Sequence, residues 1–305
     1  MPELPDITIY LESLQSRIVG RRLQSVRITS PFLLRSYATP ISMAEEREVV
    51  GLERIGKQIV WELEEELFLV FHLMIAGRFH WKKVGAKPAG KIGLASFSFS
   101  DGTLILTEAS TKKRASLYIV QGRGSLSVFD RGGLEVFSAS PEEFRAVLLR
   151  ENHTVKRALT DPRLFSAIGN AYSDEILHRA CLSPLKLTEK LSEDEIVRLH
   201  RAAAQTMRDW IARLREETGS SFPERVTAFR PEMAVHGKYR QPCPVCGTQV
   251  QRIAYAENEC NYCPRCQTGG KILADRSLSR LLQDDWPRTI KELEANPALG
   301  KLRSR

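Results

Sequence analysis

The chain has 305 residues, 42% of them hydrophobic and 27% charged, which is enough for two or three domains with proper cores. Its formal net charge of +8 points to an anionic partner, although scattered basic residues give the same total. No apolar run reaches transmembrane length and no basic region followed by an apolar core opens the chain, so the expectation is a protein without span or signal peptide.

The chain opens MPELPD. Removal of Met1, which the small residue behind it permits, would expose the secondary amine of Pro2 with the carboxylate of Glu3 beside it. An α-amino group titrates near pH ~7.7–8.0, so a useful fraction is unprotonated and nucleophilic at neutral pH, unlike a lysine. Asp6 is expected to cap a helix with Ile7, Leu11, Leu14 and Ile18 as its buried stripe and Gly20 as its stop. The positive end of that helix disfavours a protonated amine. Taken alone, the stretch reads first as a stiff N-terminal arm.

Residues 22–130 carry the pattern of short strands. Ile59, Trp61 and Leu63 alternate, the acidic Glu64–Glu66 marks a turn, and Leu67, Leu69 and Phe71 return. Phe97 and Phe99, then Asp101-Gly102, then Leu104 and Leu106 give a strong hairpin signal. Further strands are expected near Ser116–Val120 and Leu126–Phe129. Many short strands with one flanking helix predict an N-terminal two-sheet β-sandwich, in a chain of the α+β multidomain class.

The pattern turns helical at Ser140, an N-cap followed by Pro141, with Phe144, Val147 and Leu148 on the apolar face. A short helical piece over Thr154–Leu159 and a loop over Asp161–Gly169 precede a helix from Asn170 to about Ala180. The clearest helix starts at Ser192, with Glu195 completing a capping box, and runs to Gly219. Its stripe is Ile196, Leu199, Ala203, Met207, Trp210 and Leu214. Gly219–Gln241 has little periodicity and reads as a linker.

Five of the six cysteines fall between positions 243 and 266, which argues for metal rather than disulfides. Cys243-Pro-Val-Cys246 and Cys263-Pro-Arg-Cys266 are two knuckles whose thiolates converge on one tetrahedral ion, with Zn–S near ~2.3 Å. Four sulfurs leave no open position, so the expected cofactor is one structural Zn2+. Val250, Ile253 and Tyr255 supply a strand for a hairpin between the knuckles. Cys260 leaves a ligand swap or an iron–sulfur cluster open. Cys181, on a helix, is read as a small core residue.

Taken together, these stretches resemble the formamidopyrimidine-DNA glycosylase and endonuclease VIII family of base-excision repair enzymes, over roughly residues 1–270. MPELPD resembles its N-terminal signature, and Lys57 in RIGK matches its strand lysine. AIGNAYSDEIL, residues 167–177, resembles the second helix of its helix–two-turn–helix DNA-binding element. VHGKYRQPCPVCG, residues 235–247, resembles the approach to its four-cysteine zinc finger. The resemblance implies a catalytic β-sandwich domain over 1–135, a helix–two-turn–helix domain over 136–234 and a zinc finger over 235–270; residues 271–305, beyond it, read as a helical extension. It further implies damaged double-stranded DNA as partner, a monomer, and a cytoplasmic, nucleoid-associated location if the source is bacterial.

By the same resemblance, Pro2 is the nucleophile that displaces the base and forms a Schiff base, and Glu3 handles protons at the deoxyribose. Strand cleavage by β- and δ-elimination would follow. Lys57 would contact a phosphate near the lesion, or be an ordinary exposed strand lysine. Asn170 would grip a backbone phosphate, or be a routine N-cap, and Glu175 matches a family acid but also suits a structural carboxylate. Met74 or Ile75 would enter the gap left by the extruded nucleotide, or pack at a strand end. Arg114 would face the orphaned partner base.

Three positions depart from the family pattern. Asn258 stands where the finger carries a phosphate-pinching arginine, which an amide does not replace. Arg252 or Arg265 are the basic residues at hand to rebuild that grip. Thr8 replaces the signature's last glutamate, and Ala115 replaces an aromatic wedge beside Arg114. Beyond the finger, Leu278, Leu281, Leu282, Ile290 and Leu293 suggest helices that pack on the finger or dock a protein partner. The competing expectation is a non-catalytic or lyase-only protein that binds damaged DNA.

Overall fold

The computed structural model describes residues 1–224, 226–255, 258–283 and 286–295. The side chain expected at Leu278 and the last part of the expected extension, residues 296–305, lie outside the described residues. Contacts divide the chain into two compact units, Met1–Gly133 with Arg208–Ala228, and Leu134–Met207 with Phe229–Arg305.

The first unit opens with helix α1 (Leu4–Ile18). Nine strands follow: β1 (Arg22–Leu23), β2 (Ser25–Ile28), β3 (Arg47–Ile55), β4 (Gln58–Leu63), β5 (Leu67–His72), β6 (Gly77–Lys82), β7 (Gly93–Phe99), β8 (Gly102–Glu108) and β9 (Ser116–Gln121). They form one sheet in the order β1-β3-β4-β5-β9 and a second in the order β2-β7-β8-β6. The two-sheet expectation is met. One core joins Ile59, Trp61, Phe71 and Leu117 of the first sheet to Phe79, Phe97 and Leu104 of the second. Ile7, Leu14 and Ile18 of α1 enter the same core, as do Phe222 and Val226 from the second segment of this unit.

The opposite face of β4 and β5 is buried as well. Val60, Phe68 and Val70 pack with Leu126, which sits in a 3-10 turn over Arg123–Phe129. A strand was expected over Leu126–Phe129, but Gly122 at φ 81° turns the chain, and the following residues cover the outer face instead. The first helix also starts earlier than expected. Its N-cap is Glu3, with Asp6 at N3 of a capping box and Pro5 tolerated in the first turn. Asp6 accepts the Glu3 N–H at 3.0 Å, so it is the returning half of the box rather than the cap.

The second unit contains α2 (Pro141–Leu148), α3 (Val155–Thr160), α4 (Asn170–Arg179) and the first part of α5 (Glu193–Thr218). Ser140 and Glu143 form one capping box, and Ser192 and Glu195 form another. The finger adds the hairpin β10 (Gln251–Ala254) and β11 (Glu259–Tyr262), then α6 (Pro264–Thr268). Helices α7 (Arg276–Leu282) and α8 (Ile290–Ala295) follow. They belong to the finger's surroundings: Ile290 N–H donates to Gly270 at 3.1 Å, Ile272 N–H to Arg288 at 2.9 Å, and Asp275 accepts the Ala254 N–H at 2.6 Å. Among the described residues no helix is long and apolar enough to cross a membrane.

Candidate active site and metal centre

In the first unit the amino end is folded inward: Pro2 and Glu3 are buried, ahead of a helix whose first turn is buried too. The Glu3 carboxylate accepts the Asp6 backbone N–H, which fixes it at the positive end of α1. Burial is the main influence on the Met1 amino group and lowers its pKa from the ordinary 8.0; Glu3 and Asp6 oppose the shift, while Arg78 and Lys57 add to it. Lys57 is likewise lowered by burial, with Glu3 pulling the other way. These reciprocal influences bring the amine, Glu3, Lys57 and Arg78 into one electrostatic cluster.

Lys57 does not lie on a strand, as expected, but on the tight turn between β3 and β4, where Gly56 takes φ 56°. Ile55 pairs with Gln58 across that turn, so two residues close it and the lysine has little freedom to withdraw. One row along, Gln58 pairs with His72, whose pKa is pushed down to about 4, first by burial and then by Lys57. His72 therefore stays neutral at physiological pH.

The loop after β5 is strained. Met74 takes φ 52°, uncommon for a residue with a side chain, and Gly77 N–H closes the turn on the Leu73 carbonyl at 2.8 Å. A Cβ on Gly77 would lie 2.3 Å from that carbonyl oxygen, so only glycine fits. The result presents Ile75 outward at 48% exposure while Leu73 plugs the core; packing at a strand end is thus no account of Ile75.

Arg78, which sequence reasoning passed over, braces this loop. Its guanidinium donates to Ile75 at 3.2 Å and Gly77 at 2.6 Å, and also to the Val226 carbonyl. The available signal was its place in GRFHWK, pointing opposite to the core residue Phe79. Arg114 and Ala115 sit just before β9, where both backbone N–H groups donate to the buried Glu108 carboxylate, Arg114 at 2.9 Å and Ala115 at 3.1 Å. Ala115 is 3% exposed and belongs to the core, which explains why no aromatic wedge stands there. Thr8 returns its hydroxyl to the Leu4 carbonyl at 2.8 Å.

The second unit holds the other named residues. Asn170 begins α4 and donates from Nδ2 to the Glu259 carbonyl at 2.9 Å, tying the helix start to the hairpin. Glu175 is buried and accepts three backbone N–H groups, from Ala234 at 2.8 Å and from Val235 and His236 at 2.9 Å each. Of its two expected roles, these bonds describe the structural one. Asp174 takes Lys156 Nζ at 2.5 Å, His236 Nδ1 at 2.8 Å and the Asn261 N–H at 3.1 Å. Burial would raise its pKa, but Lys156 and His236 outweigh that and hold it low.

Asn258 is exposed at the hairpin tip, its carbonyl accepting the Tyr255 N–H at 2.7 Å. Arg252 lies 3.5 Å from Glu259 with its guanidinium 4.5 Å from the Tyr239 ring centre, and Arg265 is exposed. The sulfurs of Cys243, Cys246, Cys263 and Cys266 lie within 4.8 Å of one another. Two of their separations are 3.9 and 3.4 Å, against about 3.8 Å for a tetrahedron with ~2.3 Å metal–sulfur bonds, so the donors fit zinc. Cys260 is outside this group; it pairs with Ile253 in the hairpin and is buried with Tyr262, which removes it as a ligand. Cys181 is exposed, not a core residue, because the chain leaves α4 there at φ 53°.

The model of the formamidopyrimidine-DNA glycosylase N-terminal domain matches residues 1–114, and that of the formamidopyrimidine-DNA glycosylase H2TH domain matches residues 135–222. A formamidopyrimidine-DNA glycosylase of Thermus thermophilus is 31% identical over 286 residues, covering 88% of this chain and all of its own. An uncharacterised formamidopyrimidine-DNA glycosylase-like protein of Mycobacterium tuberculosis is 38% identical over 151 residues, half of this chain and 94% of its own. The Lactococcus lactis Fpg in complex with DNA containing an abasic site superposes with a TM-score of 0.76 at 26% identity, covering 87% of this chain and 99% of that one.

Proposed function

The chain belongs to the formamidopyrimidine-DNA glycosylase family and is a DNA glycosylase of base-excision repair, and from that premise we propose that it also cleaves abasic sites through the amine of Pro2. The observation that carries this reading is the cluster of Glu3, Lys57 and Arg78 around the chain's first amino group, that of Met1 before processing, whose pKa burial lowers below its ordinary value; removal of Met1 puts the Pro2 amine beside the same residues. A less protonated amine is the nucleophile that the chemistry needs.

Once Met1 is removed, the Pro2 lone pair bonds to C1′ of the damaged nucleotide, the glycosidic bond breaks with its electrons leaving on the base, and the proton shed by the Pro2 nitrogen goes to that base. Opening of the sugar places the C1′–O4′ pair on O4′, which takes a proton delivered at Glu3. The iminium that remains draws electrons from C2′, whose proton becomes acidic. Loss of that proton expels the 3′ phosphate, and a second elimination expels the 5′ phosphate. Lys57 supplies positive charge where the phosphates flank the sugar. Damaged duplex DNA is the substrate in this reading, held also by Arg114 and, through Asn170 and the hairpin carrying Asn258, by the second unit. Met74 and Ile75 fill the space the nucleotide leaves. One zinc ion, held by Cys243, Cys246, Cys263 and Cys266, keeps the finger folded and takes no part in the reaction.

Borohydride reduction of a mixture with abasic-site DNA tests the covalent step. The expected result is a stable protein–DNA adduct that maps to the peptide starting at Pro2, and that disappears when Met1 or a tag is kept on the amine. Absence of any adduct with the processed protein would leave base release without the proposed lyase.

A further inference from the structure

Phe32 is 69% exposed, yet its backbone is held firmly. Ser30 accepts the Leu33 N–H at 3.1 Å, closing a turn with Pro31 and Phe32 at its centre. Proline in that place presets the backbone. Before the turn, Thr29 and Ser30 both donate to the Leu94 carbonyl, at 2.9 and 3.1 Å. After it, Leu33 is 1% exposed and anchors in the core. An outward phenyl ring on so fixed a turn contributes nothing to that core.

Strand register shows where this ring stands. Leu33 accepts the Leu117 N–H at 2.8 Å, Arg35 donates to the Leu117 carbonyl at 2.9 Å and Leu34 bridges Leu117 in parallel, so the turn of Phe32 abuts the start of β9, which Arg114 and Ala115 precede. Ser116 pairs with His72, and His72 with Gln58. The same edge of the sheet therefore carries Phe32, Arg114, the strained loop of Met74 and Ile75, and the turn that bears Lys57. Two segments with exposed apolar side chains, those of Phe32 and Ile75, thus reach the same end of the sheet as the segments that carry Lys57 and Arg114. Apolar wedges among cations suit a ligand with charged phosphates outside and flat bases inside.

We propose that Phe32 is a positioning residue that stacks on a nucleobase beside the extruded nucleotide. It supplies from a separate turn the aromatic face that the buried Ala115 does not present. This rests on the glycosylase reading above. Any base offers a face to stack on, so Phe32 stabilises the opened stack without selecting the lesion.

The test uses a duplex with 2-aminopurine next to a tetrahydrofuran abasic analogue, and separately a single strand with a natural abasic site. Wild type is expected to change 2-aminopurine fluorescence on the duplex as the base passes from its neighbour to the phenyl ring. Phe32→Ala alters that change and loses about 10-fold in duplex affinity, as loss of one base–aromatic stack does, and Phe32→Trp restores the affinity. Borohydride trapping on the single strand, which has no stack to open, stays unchanged in all three proteins. Equal fluorescence and affinity for wild type and Phe32→Ala would overturn the proposal, as would an equal loss of trapping on the single strand. If wild type is trapped on neither substrate, the lyase reading fails by itself; the fluorescence and affinity comparison still decides the role of Phe32.

Discussion

Opposing influences set the protonation of the amino group, and each belongs to a residue that can be changed. Burial, Arg78 and Lys57 lower its pKa, while Glu3 and Asp6 raise it. Because the net shift is downward, the neutral nucleophile persists to lower pH than for an ordinary chain end. With the Pro2 amine in the setting that lowers the Met1 group, single-turnover trapping should lose rate on the acid side at a more acid midpoint than an ordinary chain end gives. Arg78→Gln removes a cation, lets the pKa rise, and should move that midpoint towards alkaline pH; an unmoved midpoint would deny Arg78 this part. The closeness of Glu3 to the chain's amino end was legible in the sequence because neighbours along the chain stay neighbours in space. Arg78 was not, since it reaches the amine only through the strained loop and strand β6.

At the scale of elements, the finger and α4 act as one assembly. Asn170 and Asp174 bond to the hairpin, Glu175 to the segment before the knuckles, and His178 Nε2 lies 3.2 Å from the Cys243 sulfur. Loss of the metal should therefore be felt in the helix as well as in the finger. Cys246→Ser is expected to bring bound zinc, measured by atomic emission, well below one per chain and to lower the melting temperature by several degrees. Amide exchange in α4 should accelerate in parallel; exchange confined to the knuckles would separate the two elements. The hairpins and capping boxes were readable because turn and cap chemistry is local: Asp101-Gly102 and Ser192 with Glu195 each specify their own geometry. Leu126–Phe129 and Cys181 misled for the converse reason. What places them is the buried outer face of β4 and β5 in one case and the exit of α4 in the other, and neither is written into the neighbouring residues.

For the whole molecule, the charge of +8 makes binding to any duplex a matter of counterion release, so log K should fall linearly with log salt. If Arg114 neutralises one phosphate charge, Arg114→Gln should flatten that slope by about 0.9; an unchanged slope would restrict Arg114 to contacts with bases. The order of motifs along the chain announced the family and the sheets, but not the way the chain is divided. Residues 208–228 read as the end of a helix and a linker, whereas their contacts are with the first helix of the sandwich unit: Arg215 pairs with Glu12 at 2.5 Å, Arg17 donates to Ser220 at 2.8 Å, and Tyr10 packs on Phe222. During synthesis the sandwich residues up to Gly133 emerge first, while the strip that completes their core follows only after the intervening helices. At roughly 5–20 residues per second the ribosome takes seconds to supply it. Through that interval Tyr10 has no Phe222 to pack on, so part of the core of the first unit stays uncovered until the strip arrives.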